Sequence, residues 1–81
     1  MIPRGAYKNS EQISFDVAIG RKIRKIRKEK NITQGMLSYK IGIDPKTLIR
    51  YEYGDLGLTC FRLNKICKAL GINTSDLINS I

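Results

Sequence analysis

Apolar positions in this chain recur at offsets of three and four, the period of helices with one face turned inward. Nowhere do they alternate as in a half-buried strand, and there is no internal repeat. Ile19, Ile23, Ile26 and Lys30 form one such stripe and predict a helix from Phe15 to Lys30, with Ser14 as its N-cap. Thr33 caps a second helix through Leu37 and Ile41, which must stop at Gly42, because glycine adopts left-handed dihedrals without strain. Asp44 offers a carboxylate to the free N–H groups of a third helix, from Pro45 to about Tyr53, and Pro45 fits its first turn. Leu48, with Tyr51 or Glu52, faces the body of the protein there. After Gly54 and an Asp55–Leu58 loop, Thr59 caps a fourth helix from Cys60 to Leu70. Phe61, Leu63, Ile66, Cys67 and Leu70 are available from it for the core. Asn73, with Asp76 three residues on, resembles a capping box and opens a short last helix through Leu77, Ile78 and Ile81. Those last apolar residues exceed what so short a helix needs for docking, which suggests a subunit interface, with packing onto the first helix as the alternative. Residues 1–13 mix Pro, Gly, Asn and Ser without periodicity and read as a flexible arm before a single all-α domain over 14–81.

The stretch from Ile32 to Gly54 organises the rest. Helix, glycine-containing turn and helix with a polar outer face is the shape that enters a DNA major groove. On the third predicted helix Lys46, Ile49, Arg50 and Tyr53 lie away from the core. Arginine presents a planar fork that can bond guanine O6 and N7 together, and lysine serves the same acceptors as a point donor. Ile49 can meet a thymine methyl, and Thr47 a phosphate or a base edge. Gln34, in the first turn of the second helix, can donate its amide to a phosphate beside the backbone N–H groups that follow Thr33.

Charge strengthens this picture. Fifteen Lys and Arg against seven Asp and Glu give a net +8 over 81 residues, a balance that favours polyanionic partners. Seven of the ten residues from Arg21 to Lys30 are basic; Arg21, Arg24, Lys25 and Lys28 point away from the isoleucine stripe. Most are explained by a solvated face, yet they raise the local positive potential and hasten encounter with a polyanion. Arg4 and Lys8 on the arm could reach phosphate or a minor groove. A membrane-surface or calmodulin-like reading of the basic helix is weaker, because its apolar stripe is narrow, lacks Trp and is needed by the following helices. No apolar run approaches the ~18 residues of a membrane span, and the first residues lack a signal peptide's apolar segment, so a cytoplasmic protein is expected. The chain has no histidine and only two cysteines, so no Cys/His metal set is expected. Cys60 and Cys67 lie about 10 Å apart by helical rise, too far to bond, and read as reduced core thiols. With no nucleophile beside a base, no paired carboxylates and no phosphate loop, an enzyme is not expected, nor a cofactor or small-molecule ligand.

Many spaced residues together resemble the XRE family, the helix-turn-helix family of lambdoid phage repressors and Cro proteins. They are Gly20-Arg21-Lys22-Ile23-Arg24-Lys25-Ile26-Arg27, Ile32-Thr33-Gln34, Leu37-Ser38, Ile41-Gly42-Ile43, Leu48, Tyr51-Glu52, Gly54, and Ile66-Cys67-Lys68-Ala69-Leu70-Gly71-Ile72. The similarity covers about residues 15 to 78. It implies a five-helix, lambda-repressor-like DNA-binding domain, usually dimeric, whose third helix reads the major groove. It also implies an ion pair between Arg27 and Glu52 that ties the first helix to the end of the recognition helix. Lys46 and Arg50 match base-contacting positions and Gln34 a phosphate-contacting one; Thr33, Arg21 and Tyr53 are the further phosphate candidates. Three departures matter. Pro45 has no N–H and replaces a residue that often reads bases, Ser38 replaces the usual alanine, and the Asp55–Leu58 loop has no basic residue, so Asp55 must turn away from DNA.

The leading expectation is a homodimeric, sequence-specific regulator of transcription, a repressor on a near-palindromic double-stranded operator, with Leu77, Ile78 and Ile81 at the subunit interface. The alternative keeps the fold and changes the role, to an antitoxin or accessory module that grips a protein partner through its C-terminal apolar surface.

Overall fold

The structure is a computed structural model that describes residues 9–81, so Arg4 and Lys8 lie outside the described residues. Five helices follow one another: α1 (Ser10–Glu29), α2 (Gln34–Ile41), α3 (Pro45–Glu52), α4 (Cys60–Leu70) and α5 (Thr74–Asn79). Among the described residues there is no strand. No helix there is long and apolar enough to cross a membrane.

Local chemistry sets most of these boundaries. Thr33 accepts the Met36 N–H, Asp44 that of Lys46, Thr59 that of Arg62 and Asn73 that of Ser75, each satisfying a donor the helix leaves open. The first boundary differs from the sequence expectation. α1 starts at Ser10, capped by Asn9, whose side chain accepts the Gln12 N–H at 2.8 Å, and Ser14 lies inside the helix. No Pro or Gly separates Asn9 from Ser14, and Glu11 suits the positive N-terminal end, so the helix extends to the earlier cap. Residues 10–13, read as part of an arm, therefore belong to α1.

The core gathers one stripe from each helix: Ile19 and Ile23, Leu37 and Ile41, Leu48 and Tyr51, Leu63, Ile66, Cys67 and Leu70, and Leu77. α1 packs on α3 and α5, α2 on α3 and α4, and α4 on α5, so α3 is held from two sides. Ile26 packs at the edge of this core, and Lys30, the last member of the predicted stripe, is exposed at the C-terminal cap. Two glycines permit the closest approach, between α1 and the end of α3. A Cβ on Gly20 would overlap the backbone carbonyl of Tyr51 and lie 2.5 Å from that of Glu52. Gly54, at φ +74°, abuts the Val17 backbone at 2.7 Å from where its own Cβ would stand.

Three residues depart from their expected places. Phe61 is 64% exposed. Leu63, Ile66, Cys67 and Leu70 already form the i, i+3, i+4, i+7 stripe, and Phe61 falls off it, lying instead under the Lys65 ammonium, 5.3 Å from the ring centroid. Cys60, the first residue of α4, projects beyond the core and is exposed, while Cys67 is buried. Burial pushes the Cys67 thiol above its ordinary pKa, opposed by a hydrogen bond with Thr74. Leu77 is buried in the chain's own core and has nothing left to offer a partner, whereas Ile78 and Ile81 are 40% and 50% exposed.

Candidate nucleic-acid interface

At the inner end of α3, Arg27 and Glu52 form a bidentate ion pair, Nε to Oε2 at 2.7 Å and Nη2 to Oε1 at 3.1 Å. Arg27 Nη1 also donates to the Ile32 carbonyl at 2.9 Å, and Gln34 Nε2 donates to Glu52 Oε1 at 3.2 Å. One carboxylate thus accepts from α1 and α2 while belonging to α3, and the guanidinium reaches the connection between α1 and α2. No buried side-chain nitrogen or oxygen among the described residues lacks a partner. Such satisfaction is what makes a buried pair tolerable, since two desolvated charges otherwise cost more than their attraction returns. Tyr51 and Glu52, alternatives for the inward position, are both buried: Leu48 and Tyr51 meet the apolar core and Glu52 meets Arg27.

Because that side of α3 is fixed, the other side is presented. Lys46 and Arg50 are exposed, Thr47 and Ile49 half-buried beside them, and Tyr53 is exposed at the C-cap. Pro45 occupies the first turn of α3, as its missing N–H allows. Thr33 is exposed at the N-cap of α2, although its hydroxyl already accepts the Met36 N–H. Gln34 is half-buried, with one of its two amide hydrogens directed to Glu52 and the other available.

An open groove of about 550 Å³ runs beside the N-terminus of α2, lined by Arg24, Arg27, Lys28, Asn31, Ile32, Thr33 and Gln34. Arg24 also lies over the Tyr53 ring, 5.6 Å from its centroid, which joins α1 to the end of α3. The groove therefore brings Thr33 and Gln34 together with Arg24 and Lys28. Neither of those two cations stands out within the basic run, because a uniformly charged ridge gives no sign of which members sit beside α2. Arg21, three residues before Arg24, is exposed on the same face of α1 and does not line the groove.

On the outer side of the same last turn of α3, Asp55 accepts from Arg50 Nε at 3.1 Å. The loop acid thus faces the exposed arginine of α3.

Known proteins share this fold. A family model described as a helix-turn-helix domain matches residues 20–81. Among solved structures, the clp gene regulator ClgR from Corynebacterium glutamicum superposes with a TM-score of 0.78 at 26% identity, covering 80% of this chain and 84% of that one. The restriction-modification controller protein C.AhdI from Aeromonas hydrophila superposes with a TM-score of 0.75 at 25% identity, covering 79% of this chain and 97% of that one. No curated protein sequence matches the chain. On the family match and the five-helix architecture together, the chain belongs to the helix-turn-helix family, as an XRE-type DNA-binding regulator of transcription with the lambda-repressor-like fold.

Proposed function

We propose that the chain acts as a homodimeric repressor, placing α3 of each copy in successive major grooves of a near-palindromic operator about one turn, ~34 Å, apart. The observation that carries this is the division of α3 into a locked inner face, through Glu52, and an outer face with Lys46 and Arg50 exposed. Lys46 and Arg50 read bases, with Thr47 and Ile49 in support. Gln34, Thr33 and Tyr53 contact phosphates, joined by Arg24 and Lys28 along the groove and by Arg21 farther along α1. The apolar residues left exposed on and beyond α5, Ile78 and Ile81, supply the subunit contact. Two regulators of similar structure, one of clp genes and one of a restriction-modification system, support the regulatory reading.

Selection of bound sequences from random duplex DNA tests this directly. A palindromic consensus with half-sites one turn apart is expected, and binding should weaken with salt at a log–log slope of about −0.9 per phosphate neutralised. Recovery of no consensus would overturn sequence-specific binding. A monomer in sedimentation that takes up a second, unrelated chain would overturn the homodimer and move Ile78 and Ile81 to a protein-partner surface.

A further inference from the structure

The pair between Arg50 and Asp55 does nothing visible for the fold, because both side chains are largely exposed, at 44% and 67%. Exposed ion pairs stabilise little. An acid beside a DNA-facing helix also weakens attraction to phosphate, so without another role Asp55 works against binding. Its position nevertheless follows from the backbone. The Gly54 N–H donates to the Tyr51 carbonyl at 3.1 Å and the Asp55 N–H to the Arg50 carbonyl at 2.9 Å. This double closure of a helix end requires the left-handed glycine found at Gly54, and it sets the residue after that glycine beside the third residue from the helix end. Gly54 is wedged against Val17, and Leu56 packs on the core. The carboxylate therefore stands on an anchored platform, next to the arginine by construction.

We infer that Asp55 is a specificity-determining residue that aims Arg50: by holding Nε it directs the two terminal nitrogens outward, end-on, toward a base edge. This rests on the proposed role of Arg50 as a base-reading residue. An arginine on a flexible stem can bond a phosphate or any acceptor within reach. One held at Nε keeps only the terminal edge of its fork, which matches guanine O6 and N7. Asp55 trades general affinity for discrimination.

The test uses the 81-residue chain as wild type, Asp55→Ala, Asp55→Asn and Arg50→Ala. Each is titrated at fixed salt against the selected operator, a set of single base-pair changes in it and an unrelated duplex, with thermal melting as a check on folding. Arg50→Ala should remove discrimination at one base pair per half-site, roughly 5- to 100-fold for a bidentate contact. Asp55→Ala should lose about threefold or more of discrimination at that same base pair while binding the unrelated duplex more tightly. Asp55→Asn keeps an oxygen acceptor for Nε and should retain most of the discrimination. Wild-type discrimination in Asp55→Ala, a loss spread evenly over all base pairs, or an Asn variant that behaves like the Ala variant would each overturn the inference and leave Arg50 a base-reading residue. If Arg50→Ala itself changes no base preference, the reading beneath it fails, and the inference with it.

Discussion

Two arginine–carboxylate pairs meet the last turn of α3, and they differ in almost everything except chemistry. Arg27–Glu52 is buried, its side chains 6% and 0% exposed, bidentate, and tied to a backbone carbonyl and the Gln34 amide. Arg50–Asp55 is exposed and bonded through one nitrogen. The first pair joins α1 to α3 across 25 residues of chain, whereas the second closes within five. Environment, more than the pairing itself, decides what each can do. Desolvated and over-bonded, an ion pair fixes the geometry of three helices; solvated and singly bonded, it leaves most of a guanidinium for something outside the protein.

The largest expected effect breaks the first pair. Arg27→Ala or Glu52→Ala should destabilise by ~3–5 kcal/mol, because the surviving charge is buried without its partner. In a chain this small, with about 4–12 kcal/mol in all, that is a large fraction of its stability, read by urea denaturation. Replacing both by leucine should cost far less than either single change, which would show that the penalty lies in the orphaned charge. Next comes the seam the pair spans: Gly20→Ala should cost roughly 1–3 kcal/mol, since its Cβ would overlap backbone carbonyls of α3 that cannot swing aside. At the other pair, Arg50→Ala and Asp55→Ala should each shift stability by no more than ~0.5 kcal/mol, measured by the same denaturation. A large destabilisation there would erase the contrast. Smallest of all, thiol titration should find Cys60 reactive in the native protein and Cys67 reactive only after unfolding, its thiol kept protonated by burial.

Much of this was legible because helix ends carry local chemistry. Thr33, Asp44, Thr59, Asn73, Gly42 and Gly71 mark boundaries through side-chain acceptors or left-handed dihedrals, and none depends on distant neighbours. Where two acceptable caps lie close together, as with Asn9 and Ser14, residue type cannot choose, and the longer helix forms. Phe61 shows the limit of residue type for burial, since its position relative to the Leu63–Leu70 stripe outweighs its apolarity. Leu77 shows another, because an apolar terminal residue fits an internal core and a subunit interface equally well until α1 and α4 are placed. The outer face of α3 was legible from spacing alone. The inward bond of Gln34 and the Asp55 platform were not, because both arise from contacts between elements or from a turn whose backbone closure brings two residues together.

If the exposed face of α3, held outward by the locked face, reads DNA, then Arg50 must leave its mark on the sequence bound. Parallel selections from random duplex DNA with wild type and Arg50→Ala test this most directly. The wild type should yield a palindromic consensus, and the variant should lose one base-pair preference per half-site with the remaining positions intact. An identical consensus from both proteins, or none from the wild type, would contradict that role for α3.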